Sequence, residues 1–292
     1  MKGCALRCPW CSNPEGQSFR IQPGVYQSKC ISDSVCGLCR TVCPQEGALL
    51  FADGKLTAID RAKCTGCMAC ADACPADAIK PWGREISVEE AMREIRRDKG
   101  YYDRSGGGVT VSGGEPLQQA GFVEELLRAC KEEGIHTCCE STLNVPWEKV
   151  EQILPWTDLF ITDIKHMDSA VHKDFSGGGN ERIIENQKKL VRTGKDIIAR
   201  IPVIPGVNDD AANIEATADY ILEDLEGKVR TLQLLSFMRL GEEKYRSLGM
   251  PYGMADLKID RPEFQAHVSE IADYFNSRGI HCLVGTREKE ES

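Results

Sequence analysis

Apolar residues recur at three- and four-residue steps in six stretches of the chain: Val88–Arg97, Phe122–Glu133, Trp147–Leu154, Ile184–Arg192, Asn213–Leu225 and Glu263–Asn276. That spacing is the mark of a helix with one buried face. Between them lie short apolar runs bounded by Gly, Pro or Asp, at Gly108–Ser112, Ile135–Cys139, Leu159–Ile164, Ile197–Val203, Thr231–Ser236 and Ile280–Val284. Runs of this length suit buried parallel strands. Strand and helix alternate, which predicts βα units in an α/β fold, as an open doubly wound sheet or a barrel. Either architecture gathers its chemistry at the C-terminal ends of the strands. Polar clusters stand at those ends: Gly113-Gly114-Glu115-Pro116, Glu140-Ser141, Asp163-Ile164-Lys165-His166 and Pro205-Gly206-Val207-Asn208-Asp209.

The periodic pattern is interrupted near the start. Residues 12–82 are rich in Cys, Gly, Pro and Ala with few sustained runs, and read as an insert in a core made of residues 1–11 and 83–292. Only Met1, Lys2 and Gly3 precede the first cysteine, so the chain is expected to begin inside its first βα unit, with that strand truncated. The net charge of −9 disfavours nucleic acid as a partner. No run of eighteen apolar residues is present to span a membrane, and no apolar leader follows Met1. A cytoplasmic protein is expected. The acidic end, Glu288–Ser292, reads as disordered.

Cysteine changes the picture most. Of 15 cysteines, 11 fall within Cys4–Cys74, too concentrated for a chain of this size in a reducing compartment unless they bind metal. Cys4, Cys8 and Cys11 follow a C-x3-C-x2-C spacing. Three thiolates in so tight a loop can hold three corners of a [4Fe–4S] cube and leave the fourth iron open to a substrate. A zinc knuckle, or a cluster completed by a distant cysteine, is the competing reading. Further on, one pattern occurs twice: Cys36, Cys39 and Cys43 preceded by Cys30, then Cys67, Cys70 and Cys74 preceded by Cys64. Pro44 and Pro75 follow the last cysteine of each copy. The second copy has the bacterial ferredoxin spacing, in which the fourth cysteine serves the other cluster. That exchange predicts one cluster on Cys30, Cys36, Cys39 and Cys74, and another on Cys43, Cys64, Cys67 and Cys70. A pair of Cys4 zinc sites is the alternative. Cys130, Cys138, Cys139 and Cys282 read as packed thiols.

The triad spacing is the signature of the radical S-adenosylmethionine superfamily, and Ser112-Gly113-Gly114-Glu115-Pro116 is similar to the segment that meets the methionyl amine there. The stretch Lys2–Glu15, Gly108–Pro116, Asp163–Asp168, Ile204–Asp209 and Leu240–Tyr245 together resemble one branch, the glycyl-radical enzyme activating enzymes that carry a two-cluster insert. The resemblance implies a partial, open (β/α)6 TIM-like barrel with a ferredoxin-like insert, three [4Fe–4S] clusters and S-adenosylmethionine as cofactors. It implies Cys4, Cys8 and Cys11 as the catalytic cluster ligands. Trp10, Ser12, Gly113, Gly114, Glu115, Asp163 and Lys165 would face the cofactor, Lys165 pairing with the methionyl carboxylate. In some relatives the segment matching Glu140, Ser141 and Asp163 holds a monovalent cation, and Glu140 here replaces an Asp. The partners implied are a glycyl-radical enzyme, which loses a hydrogen atom from one glycine Cα, and a flavodoxin- or ferredoxin-type electron donor. The rivals are a radical enzyme with another target and a plain electron-transfer protein.

Overall fold

The computed structural model describes residues 1–285, so the acidic end lies outside the described residues. Two cores organise the chain. The smaller comprises Val25, Leu56, Ile59, Cys70 and Ile79. Around it lie strands β1 (Gln22–Val25), β2 (Leu49–Ala52), β3 (Lys55–Ile59) and β4 (Ile79–Trp82), with the short helices α1 (Leu38–Val42) and α2 (Ala69–Asp72). β1 pairs antiparallel with β4, and β2 with β3. None of these strands was expected from periodicity, because each is only four or five residues long and most alternate poorly.

The larger core is a six-stranded parallel sheet. Its strands are β5 (Gly108–Val111), β6 (His136–Ser141), β7 (Leu159–Asp163), β8 (Asp196–Val203), β9 (Thr231–Ser236) and β10 (Cys282–Val284), side by side in sequence order. Among the described residues no pairing joins β5 to β10, so the sheet is open. Helices follow the strands: α3 (Val88–Arg97), α4 (Lys99–Ser105), α5 (Ala120–Glu132), α6 (Trp147–Ile153), α7 (Ser169–Ser176), α8 (Glu181–Arg192), α9 (Ala211–Asp219), α10 (Glu242–Leu248) and α11 (Arg261–Ser277). Local chemistry sets their limits. Ser87 and Glu90 form a reciprocal capping box that starts α3, and Arg96 and Arg97 close it against the helix dipole. α5 buries Val123, Leu126, Leu127 and Cys130, a helix-period stripe that faces the sheet. The stretch expected as one helix to Leu225 is α9 followed by a π-turn at Tyr220–Asp224.

The sheet has two unlike faces. Register places Val111, Cys139, Phe160, Ile197, Ala199, Ile201, Val203, Leu232 and Leu234 in the main core. Strand residues alternate in direction, so Ser112, Glu140, Asp163, Arg200 and Gln233 share the other face. Fully buried strands were expected. In β8 the second face, with Ile198, Arg200 and Pro202, is instead only half-buried.

Loops after the strands are tied together from below. Asn208 is buried, and its amide donates to the carbonyls of Lys165 (2.9 Å) and Pro202 (2.8 Å) while accepting from the Ile204 amide (2.8 Å). One side chain thus joins the ends of β7 and β8. Asn208→Ala removes three buried hydrogen bonds and is expected to cost roughly 2–4 kcal/mol, read as a lower urea midpoint at unchanged slope.

Candidate active site

Residues 1–17 lie across the C-terminal end of β5. The Gly114 amide donates to the Met1 carbonyl (2.9 Å), the Glu115 amide to Gly3 (2.6 Å), and the Gly3 amide to Gly16 (2.8 Å). A Cβ on Gly114 would stand 2.3 Å from the Gly16 carbonyl oxygen, and one on Gly113, at φ +132°, 2.1 Å from the Met1 nitrogen. The double glycine is therefore required by the cysteine segment itself, which packs on its backbone.

Glu115 corrects the reading of that turn. It is 1% exposed, so its carboxylate does not line an open cofactor face. One oxygen accepts from the Leu117 amide (3.1 Å) and the Ser141 hydroxyl (2.8 Å), the other from the Thr142 amide (2.9 Å) and hydroxyl (2.5 Å). Burial pushes the carboxyl pKa up, and those donors pull it back. Glu115 is a clamp between the glycine turn and the end of β6.

The cysteine loop crosses the strand ends. Its Arg7 amide donates to Ser176 (2.6 Å) and its Cys11 amide to Cys8 (3.1 Å). Cys8 is buried, and its thiol pKa is pushed up to about 11 by burial, against the pull of Lys165 and with opposing fields from Cys11, Asp163 and Cys4. Cys4 is pushed up by burial too, and senses Glu115, Lys165 and Cys11. The three thiols, Asp163 and Lys165 thus share one electrostatic neighbourhood. Lys165 is paired with Asp163 at 2.5 Å. Burial alone would lower its pKa, yet Asp163, Cys8 and Cys4 raise it, so the ammonium stays charged. Trp10 is buried against Phe175, with ring centroids 6.2 Å apart. Ser12 sits under Gly241, where a Cβ would come within 2.5 Å of the Ser12 carbonyl.

A polar row absent from the expected set runs beneath. Ser112 donates to Glu140 (3.2 Å), Arg200 pairs with Glu140 (2.9 Å), and Arg200 donates to Gln233 (2.9 Å). Arg200 and Gln233 could have been found from strand period alone, since each is the polar residue in an apolar run. Glu140, Ser141 and Asp163 do not converge as a cation site. Ser141 turns to Glu115, Glu140 to Arg200, and Asp163 to Lys165.

The remaining cluster cysteines separate into two groups. Cys30, Cys36, Cys39 and Cys74 line one cavity, while Cys43, Cys64, Cys67 and Cys70 line another. Cys39 senses Cys30, Cys74 and Cys36, and Cys70 senses Cys64, Cys43 and Cys67. Among the described residues no three Cys, His, Asp or Glu side chains are drawn together tightly enough to hold a single ion. Thiolates on one tetrahedral zinc would sit about 3.8 Å apart, given its ~2.3 Å bonds. All-thiol sets are the donors an iron–sulfur cube takes. Cys130, Cys138, Cys139 and Cys282 are buried.

Comparison with known proteins gives the family. The Radical SAM superfamily model matches residues 61–221, and a 4Fe-4S dicluster domain matches residues 29–79. The (2S)-3-sulfopropanediol dehydratase activating enzyme of Klebsiella oxytoca is 61% identical over 289 residues, 99% of this chain and 91% of that protein. The chain belongs to the glycyl-radical enzyme activating enzymes of the radical SAM superfamily. An isethionate sulfite-lyase activating enzyme from Nitratidesulfovibrio vulgaris is 36% identical over 94% of this chain and 89% of its own length. Among solved structures, a domain of pyruvate-formate lyase-activating enzyme from Bacteroides vulgatus superposes with a TM-score of 0.51 at 28% identity, covering 62% of this chain and 99% of the domain. Membership sets aside the plain electron-transfer reading. The parallel sheet is the radical SAM fold, and no helix among the described residues is long and apolar enough to cross a membrane.

The Glu115 clamp yields a test in this activating enzyme. Glu115→Gln presents an amide donor to groups that themselves donate, and is expected to cost roughly 2–3 kcal/mol and to loosen the cysteine loop. Thermal unfolding reads the first effect, and faster proteolysis within residues 1–17 reads the second. Unchanged stability would sink the clamp.

Proposed function

We propose that Cys4, Cys8 and Cys11 hold a [4Fe–4S] cluster with one iron left for S-adenosylmethionine. A second cluster rests on Cys30, Cys36, Cys39 and Cys74, and a third on Cys43, Cys64, Cys67 and Cys70. In this reading residues 12–82 are a ferredoxin-like insert, and residues 1–11 and 83–292 are a partial (β/α) barrel. The observation that carries it is the meeting of the triad thiols with Asp163 and Lys165 at the end of β7. When bound, the cluster would supply the electron for reductive cleavage of the sulfonium S–C bond of S-adenosylmethionine, giving methionine and an adenosyl fragment able to take a hydrogen atom from a glycine Cα of the partner. The electron comes from a flavodoxin- or ferredoxin-type donor in the cytoplasm.

The chain's own groups bind and orient. Lys165, kept cationic by Asp163, offers the methionyl carboxylate a counter-charge in a site where burial strengthens the attraction. Gly113 and Gly114 bring bare backbone to the methionyl end, and Glu115 holds that backbone still. Trp10 and Ser12 flank the adenosyl group. No acid or base is needed at the glycine, since a hydrogen atom moves whole, and what the protein supplies is position.

The partner proposed is a (2S)-3-sulfopropanediol dehydratase. The support is the gap between 61% identity to that activating enzyme and 36% to an isethionate one, each along nearly the whole chain. With S-adenosylmethionine and a low-potential reductant, the protein is expected to raise an EPR-visible glycyl radical in the dehydratase and far less in isethionate sulfite-lyase. Equal activation of both would overturn the partner assignment. For the clusters, wild type should carry roughly 12 irons per chain, three cubes, and the Cys4/Cys8/Cys11→Ala variant roughly 8. That variant should release no 5'-deoxyadenosine.

A further inference from the structure

Arg61 lies in the turn between β3 and Cys64, and the chemistry above gives it no part. Its guanidinium bridges the two cores. Nε and Nη2 both donate to the carbonyl of Leu248, at 3.2 and 3.0 Å, at the last residue of α10. The remaining nitrogen, Nη1, is buried with no hydrogen-bond partner. Among the described residues no carboxylate is ion-paired with Arg61, and the opposite charges that bear on it are the thiols of Cys64 and Cys70. Those two belong to the set that lines the second cysteine cavity. A buried guanidinium N–H left unpaired costs on the order of 1–3 kcal/mol. The fold leaves this one in the field of the Cys64 and Cys70 sulfurs.

We propose that Arg61 is a positioning residue for the cluster of Cys43, Cys64, Cys67 and Cys70: Nη1 donates to a sulfur of that cluster and raises its reduction potential, while Nε and Nη2 fasten the same guanidinium to α10. The proposal rests on the cluster assignment under Proposed function. Its sign follows from charge. Taking one electron from a reduced low-potential carrier makes the cluster more negative, with no bond broken and no proton moved. A cation and a hydrogen bond at its sulfur stabilise that reduced form.

The attachment to α10 also joins Arg61 to the element beside the triad. α10 carries Tyr245, which is buried and senses Cys11 and Cys8. Thr65 and Gly66, between Cys64 and Cys67, share a groove with Met1 and Lys2, just ahead of Cys4. Both cysteine cavities are lined by residues of the insert alone. Arg61 is therefore tied, through α10, to the side of the insert that meets the triad segment.

The test is an EPR-monitored redox titration of the reconstituted full chain, with Arg61→Gln and Arg61→Lys beside wild type. Arg61→Gln is expected to move one of three midpoints negative, with at least a tenfold fall in the ratio of reduced to oxidised cluster at fixed potential, about 59 mV for one electron. The other two midpoints should stay in place, and Arg61→Lys, which keeps the charge, should move less. Three clusters with no midpoint displaced, even with a lowered melting temperature, would reduce Arg61 to a structural pin and overturn the proposal. Iron and sulfide content read on the same samples separates the two failures: a wild type lacking the third cluster overturns the cluster assignment itself, and this proposal with it.

Discussion

A buried carboxylate holds the site together. Glu115 binds four donors from the end of β6 and its own turn, while its backbone amide is held by Gly3. The cysteine segment, the glycine turn and the β6 loop therefore move as one body. Such a group is stable only when fully satisfied, because burial of a charge without partners is far more expensive than any of these bonds is favourable. The positions of Cys4 and Cys8 relative to Lys165 depend on this arrangement, as does the need for two glycines at Gly113 and Gly114.

The sheet then divides the labour. One face is apolar and packs under the helices, which makes it rigid. The opposite face carries Ser112, Glu140, Arg200 and Gln233 as a connected polar row, with Asp163 and Lys165 at the next level. The row is half-buried, with Arg200 between Glu140 and Gln233.

Much of this was legible in the chain. The six strands and six of the nine helices α3–α11 follow from period alone, and boundaries shifted by only a few residues, as at β6, which starts at His136 and runs to Ser141. Spacing also predicts the two cysteine quartets, and the same quartets line the two cavities. What escaped is what depends on long-range contact. α4, α7 and α10 are only seven, eight and seven residues long, so packing decides them. Glu115 looked like a ligand because sequence places it beside two glycines. Only the approach of Ser141 and Thr142 from another strand shows that it faces inward.

α10 is the element through which the two cores communicate. Its Lys244 reaches Asn13 (2.7 Å) and Glu15 (2.6 Å) beside the triad, and Ser247 accepts from Trp82 (2.9 Å) at the end of β4. Leu248 receives Arg61, and Tyr245 stands by Cys8 and Cys11. A seven-residue helix has little stability of its own, so it is ordered by these contacts and orders them in turn. A short helix held at Lys244, Ser247 and Leu248 fixes the smaller core against the cysteine segment through polar contacts at defined points.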